Sequence, residues 1–171
     1  QNNCHFFTSE LNEQARHRLQ TESELNRALE REDARLFYQP VVGLNDGRIR
    51  GVEALLRWQH PERGLVSPGE FIPLLEDLGL IQPVGDWVVR TACAQLARWK
   101  AAGLPPIRMN VNLSPRQFSS ETMIENLNAV VAEKGLTPQD LQLEITESLF
   151  LHEIPGADAA IQRLHELGFP L

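Results

Sequence analysis

An α/β fold with parallel strands is predicted for residues 36–171, on three observations. Short apolar runs with strand texture alternate with helical runs that open on Ser-Pro or similar capping signals. Two of the apolar runs, 107–113 and 141–146, alternate apolar and polar residues with period two. Successive helical runs stop at Gly79, Gly103, Gly135 and Gly168, the residue type that tolerates a left-handed exit.

Taken in order, residues 9–35 are rich in Glu, Arg, Gln and Leu. Leu11, Ala15, Leu19, Leu25 and Leu29 form an incomplete apolar stripe at helical spacing, and Thr21 with Glu24 makes a possible capping box. This segment reads either as a solvated linker helix or as a coiled coil in a signalling dimer. Residues 36–44 read as a strand. Asn45, Asp46 and Gly47 supply turn chemistry before a second strand over 48–58, so an antiparallel hairpin is expected.

Ser67, Pro68 and Glu70 then provide an N-cap, a first-turn proline and a capping-box carboxylate for a helix that stops at Gly79. A longer helix over about 83–102 is expected to bury Val84, Trp87, Val88, Ala92, Leu96 and Trp99. In the strand 107–113, Ile107, Met109, Val111 and Leu113 alternate with Arg108, Asn110 and Asn112. Ser114, Pro115 and Gln117 form a capped turn, followed by a helix over about 121–134. The strand 141–146 places Leu141, Leu143 and Ile145 on one face and Gln142, Glu144 and Thr146 on the other. A last helix is expected over 155–167.

Composition narrows the function classes. With 42% hydrophobic and 23% charged residues in 171, the chain has the makings of a packed core rather than a disordered tract. A net charge of −7 argues against binding to a nucleic-acid polymer, so an anionic ligand has to be held locally by arginines or metal ions. Only Cys4 and Cys93 occur, without CxxC spacing, and no signal peptide or long apolar span is present. A cytoplasmic location without membrane contact by this segment is therefore expected. His5, His17, His60, His152 and His165 lack metal-site spacing and are expected at the surface. No P-loop, GxGxxG or GxSxG occurs.

Three oxygen-bearing residues, Glu53, Asn112 and Glu144, fall near the C-terminal ends of three predicted strands, the end at which α/β folds bind ligands. Two carboxylates and an amide are hard donors suited to Mg²⁺, Mn²⁺ or Ca²⁺. Arg57, four residues after Glu53, either serves an anionic group such as a phosphodiester or pairs with a local carboxylate.

The same residues carry a resemblance. Tyr38-Gln39-Pro40, Glu53-Ala54-Leu55-Leu56-Arg57-Trp58, Pro68-Gly69-Glu70-Phe71-Ile72-Pro73, Asn112-Leu113-Ser114 with Gln117, and Glu144-Ile145-Thr146-Glu147-Ser148 resemble, in order, the motifs of the EAL domain. That family includes bacterial phosphodiesterases that cleave cyclic di-GMP to linear pGpG. The first residues, Gln1-Asn2-Asn3-Cys4-His5-Phe6-Phe7, are similar to the tail of a GGDEF domain. The resemblance implies three parts: a GGDEF-like tail over 1–8, a linker helix over 9–35, and the N-terminal half of an EAL domain over 36–171.

It further implies a modified TIM (β/α)₈ barrel with an antiparallel first strand. Glu53, Asn112 and Glu144 would be ligands of a two-metal site holding Mg²⁺ or Mn²⁺. Gln39, Leu55 and Arg57 would contact the dinucleotide, and Glu147 would order a loop near the metals, so that Glu53 and Glu147 carry the catalytic roles. The family's Asp-Asp pair, Lys, further Glu and Gln cannot be placed here.

Length agrees with the motif count, because a complete barrel takes about 250 residues and residues 36–171 supply about half of that. The chain is thus expected to be a fragment of a parent phosphodiesterase, inactive alone. Its open sheet edges are expected to drive homodimerisation or strand exchange. The alternative function is a non-hydrolytic cyclic di-GMP receptor. An aldolase-type barrel is disfavoured because the only lysines, Lys100 and Lys134, fall on predicted helices.

Overall fold

The computed structural model describes residues 23–25, 33–119, 122–145 and 156–171. Strands β1 (Ala34–Val42) and β2 (Ile49–His60) form the expected antiparallel hairpin, with Gln39 opposite Glu53. The turn closes as its residue types require: Gly47, at φ +64°, donates its N–H to the Gly43 carbonyl at 2.9 Å. A short β3 (Gly64–Val66), not expected from the sequence, folds back against Trp58–His60 at the end of β2. Three residues carry too little periodicity to signal a strand.

β4 (Arg108–Leu113) and β5 (Leu141–Ile145) then join β2 in parallel, giving the order β1-β2-β4-β5 with β3 attached to β2. The crossovers are made by α1 (Pro68–Asp77), α2 (Ile81–Ala101) and α3 (Met123–Glu133), and α4 (Ala157–Glu166) follows β5. Five strands in this arrangement form a partial barrel, open on one side. Among the described residues no strand pairs with the outer edge of β1. The outer edge of β5 is not bare, contrary to expectation: the Leu143 N–H donates to the Pro170 carbonyl at 2.9 Å.

Alternation sorts the sheet into two faces. Val52, Ala54 and Trp58 of β2, Met109, Val111 and Leu113 of β4, and Leu141 and Leu143 of β5 enter one core with Phe71, Leu75, Val88, Leu96 and Val131 of the helices. On β1, Tyr38 meets Trp99 of α2 edge to face, 5.1 Å between centroids. The opposite face carries Glu53, Arg57, Asn110, Asn112 and Glu144 beside the apolar Phe37 and Leu55, and is where the site lies.

Some helical expectations need correction. α2 buries Val84, Val88, Ala92 and Leu96 as expected, but Trp87 is exposed at 36%, outside the buried stripe of the helix. Ser67 takes the extended N-cap backbone of α1 but makes no side-chain cap bond. Glu70 pairs instead with Arg63 from β3's turn, so the capping box does not close. A complete capping box occurs elsewhere, between Thr137 and Asp140. Burial pushes the Asp140 carboxyl up, but hydrogen bonds from Lys100 and Thr137 outweigh it and hold the group below its ordinary range.

His60 is also corrected: it is buried at 5%, not at the surface. Its Nδ1 accepts the N–H groups of Glu62 and Arg63, both at 3.1 Å, which leaves Nε2 to donate to Glu24 at 3.3 Å. His60 therefore fastens residues 23–25 to the β2–β3 turn, beside the buried Leu25. His165 is exposed as expected, whereas His5, His17 and His152 lie outside the described residues.

Cys93 is fully buried in α2, and burial raises its thiol pKa to about 11. A folded-state pKa above the unfolded value stabilises the fold below about pH 9, and that contribution is lost as pH rises toward 11. Cys93 is accordingly expected to resist alkylation at pH 8, checked by peptide mapping after iodoacetamide with and without denaturant. Equal labelling in both would overturn it.

Candidate functional site

Parallel strands point their C-terminal ends the same way, so residues at matching register converge on one rim. The register sets Glu53 of β2 beside Asn110 of β4, and Asn112 of β4 beside Glu144 of β5. All four side chains share the open face. The amides then reach diagonally rather than straight across. Asn112 Nδ2 donates to Glu53 Oε1 at 2.8 Å, and Asn110 Nδ2 donates to Glu144 Oε1 at 2.7 Å. Two diagonal, charge-assisted bonds thus hold both carboxylates over three strands; the part-buried Asn110–Glu144 bond is worth about 1.5–3 kcal/mol, and the exposed Asn112–Glu53 bond less.

The structure places Glu53, Asn112 and Glu144 on neighbouring strands, with Gln39 on β1 paired in register with Glu53. Leu55 and Arg57 follow on the same face of β2. Glu147 lies outside the described residues. Asn110 was missed. Its signal was its place in the alternation, two residues before Asn112 on the same face, but an amide at mid-strand has many uses and only the bond to Glu144 identifies this one.

Asn110 is 9% exposed, so Asn110→Leu leaves a carboxylate without its donor. The substitution is expected to destabilise the fold by about 1–3 kcal/mol in urea unfolding, and an unchanged midpoint would contradict the role.

Above Ala54 and Val111, β2 and β4 part. β2 takes up β3 only from Trp58 onward, so among the described residues the β4-side edge of Leu55, Leu56 and Arg57 has no strand partner. An open cleft of about 740 Å³ occupies the gap. Its walls are residues 54–57 and 112–117, and its floor is Ile72, Ile81, Val84 and Val88 of α1 and α2. Arg57 donates from its guanidinium to the Leu56 carbonyl at 2.9 Å and pairs with no carboxylate among the described residues. The local ion-pair reading of Arg57 is not realised here, and its charge stands at the cleft.

A divalent cation fits the donor chemistry, two carboxylates and one amide oxygen on adjacent strands. Among the described residues no three His, Cys, Asp or Glu side chains gather where they could hold a metal ion. These donors supply only part of an octahedral shell. Asn112 presents its NH₂ to Glu53, so the amide has to turn over to offer Oδ1 to an ion shared with that carboxylate. Asn110 would orient Glu144 from outside the shell, a supporting contact that metal sites characteristically use.

The family model described as EAL domain matches residues 22–171. Among curated proteins, the bifunctional diguanylate cyclase/cyclic di-GMP phosphodiesterase MucR of Pseudomonas aeruginosa is 39% identical over 163 residues, 95% of this chain and 24% of that protein. The cyclic di-GMP phosphodiesterase NbdA of the same organism is 36% identical over 170 residues, 99% of this chain and 22% of that protein. A solved structure, PaMucR phosphodiesterase in complex with c-di-GMP, superposes with a TM-score of 0.82 at 38% identity, covering 88% of this chain and 61% of that one. The chain spans about a quarter of the length of these curated relatives.

Proposed function

From the premise that this chain belongs to the EAL domain family, we propose that it carries the first part of a metal-dependent site that hydrolyses cyclic di-GMP to linear pGpG in a longer protein. The observation that carries the reading is the pair of diagonal bonds holding Glu53 and Glu144 through Asn112 and Asn110 on one face of the parallel strands β2, β4 and β5. Glu53, Asn112 and Glu144 would hold Mg²⁺ or Mn²⁺, and Gln39, Leu55 and Arg57 would bind the dinucleotide. The ions, when bound, would polarise the phosphodiester and supply a hydroxide nucleophile. Arg57 would neutralise phosphate charge at the cleft mouth. Leu55, just past the point where β4 leaves β2, would offer an apolar surface to a base. Glu147 would order the segment after β5.

This chain alone is proposed to bind without turning over, because two carboxylates and an amide leave the metal shell incomplete. The receptor reading draws on the same observation. Calorimetric titration of cyclic di-GMP with and without Mg²⁺ tests binding, and heat is expected only with Mg²⁺. Absence of heat under both conditions would mean that the site does not form in this chain. Production of pGpG by the 171-residue chain would overturn the proposed inactivity.

The open edge of β1 and the uncovered face, on which Phe37 is 48% exposed, support a further proposal: homodimerisation or strand exchange covers them. Light scattering that returns a monodisperse monomer would refute it. Residues 1–8 would be the tail of a GGDEF-like domain and the chain from residue 9 a linker helix, segments that lie mostly outside the described residues; the linker ends before 35, because β1 already begins at Ala34.

A further inference from the structure

One polar side chain at the cleft is buried more deeply than any of the site residues above. Gln117 is 4% exposed, in the 3₁₀ turn Pro115–Ser119 that follows β4. Its Oε1 accepts the N–H of Ser114 at 2.9 Å, while its own backbone N–H donates to the Ser114 carbonyl at 2.9 Å. The turn is thus closed from both directions. The amide lies against Gly85 of α2, where a Cβ would stand only 2.8 Å from Gln117 Cδ. Real Cβ atoms essentially never come so close, so Gly85 is the space that Gln117 fills.

Two further contacts secure the same turn. Ser114 Oγ donates to Glu76 Oε1 of α1 at 2.6 Å, and Gln82 Nε2 of α2 donates to the Arg116 carbonyl at 3.0 Å. Gln117 is therefore the internal strut of a turn that α1 and α2 hold from outside. Ser114, which the turn holds, stands two residues after Asn112, and Leu113 between them is buried at 2%. A displacement of Ser114 would be passed through a fixed Leu113 to the Asn112 amide.

We infer that Gln117 is a positioning residue: seated in the notch at Gly85, it sets where Asn112 stands over Glu53. The inference rests on the reading of Asn112 as a site residue, and it explains why a buried amide and a helix glycine meet at the wall of the cleft.

The experiment reads Asn112 directly, through its side-chain ¹⁵N–¹H₂ resonances in the 171-residue chain, assigned by their loss in Asn112→Asp. Gln117→Leu removes the acceptor at similar volume, and Gly85→Ala evicts the amide while leaving Gln117 in place. Both are expected to shift the Asn112 resonances, and the double variant to shift them no further than the larger single change, because both act through one contact. Leu136→Ala, at the opposite end of the sheet, is expected to lower Tm without shifting them.

Unchanged Asn112 resonances in folded Gln117→Leu, or an equal shift in Leu136→Ala, would overturn the inference. So would failure of both Gln117→Leu and Gly85→Ala to fold while Leu136→Ala folds, which would assign Gln117 to stability alone. Gln117→Leu is also expected to weaken cyclic di-GMP binding about tenfold, the effect of one well-made buried hydrogen bond. Failure of the unmodified chain to bind cyclic di-GMP would count against the proposed function, and the resonance test would still decide the role of Gln117.

Discussion

Glu53→Ala is expected to abolish measurable Mg²⁺-dependent binding of cyclic di-GMP, a loss of at least about 100-fold. The estimate is anchored on outer contacts, whose removal already costs about 10- to 100-fold in metal-site affinity, so a direct donor should cost no less. Glu53 also receives the Asn112 amide at 2.8 Å, and its removal frees that side chain from the only fixed partner shown for it among the described residues. Glu53→Gln separates the two contributions. It retains an acceptor for Asn112 but loses the charge, and an equal loss of binding would assign the effect to charge. Calorimetry on the three proteins decides the matter, and binding by Glu53→Ala at the unmodified affinity would remove Glu53 from the site.

Leu143→Ala is expected to cause a large loss of stability, about 3 kcal/mol, seen as a fall in Tm of roughly 6–12 °C. Leu143 is fully buried at the centre of β5, between Val111 in the neighbouring strand register and the helical layer. Its backbone N–H also holds Pro170 at the strand edge. Truncation opens a cavity that a sheet paired on one side by β4 cannot close by moving a single element. Against a total stability of about 5–15 kcal/mol, this is a substantial fraction. Leu143→Met, which nearly conserves volume, is expected to cost less than about 1.5 kcal/mol. Equal melting temperatures for the Ala variant and the parent chain, by circular dichroism, would refute the packing account.

Much of the site was legible because its residues alternate. Glu53, Asn112 and Glu144 occupy the polar phase of strands whose apolar phase, Met109, Val111, Leu141 and Leu143, is buried in the structure. Once both phases are seen, the side of the sheet follows from geometry. The hairpin was legible from Asn45, Asp46 and Gly47 for a similar reason, since turn conformation is a local property.

What escaped depended on contacts that residue type and periodicity do not reveal. His60 looked like a surface group until the Glu62 and Arg63 amides and Glu24 were seen around it. Trp87 sat in an apolar helical phase, yet it is exposed. Ser67 and Glu70 had the residue types of a capping box, but Arg63 captured the carboxylate. At His60 and Glu70 a specific contact overrode a local preference worth no more than about 1–2 kcal/mol.

Residue order alone therefore dictates the α/β alternation, the phase of each strand, the turns and the identity of the hard oxygen donors, all of which depend on neighbours within a few positions. Only the assembled sheet decides that Asn112 reaches Glu53 while Asn110 reaches Glu144, that β2 and β4 part to form the cleft, and that Gln117 fills the notch at Gly85. These contacts join residues 32 to 59 positions apart. Strand register and helix packing set them jointly, and no short stretch of sequence encodes either one.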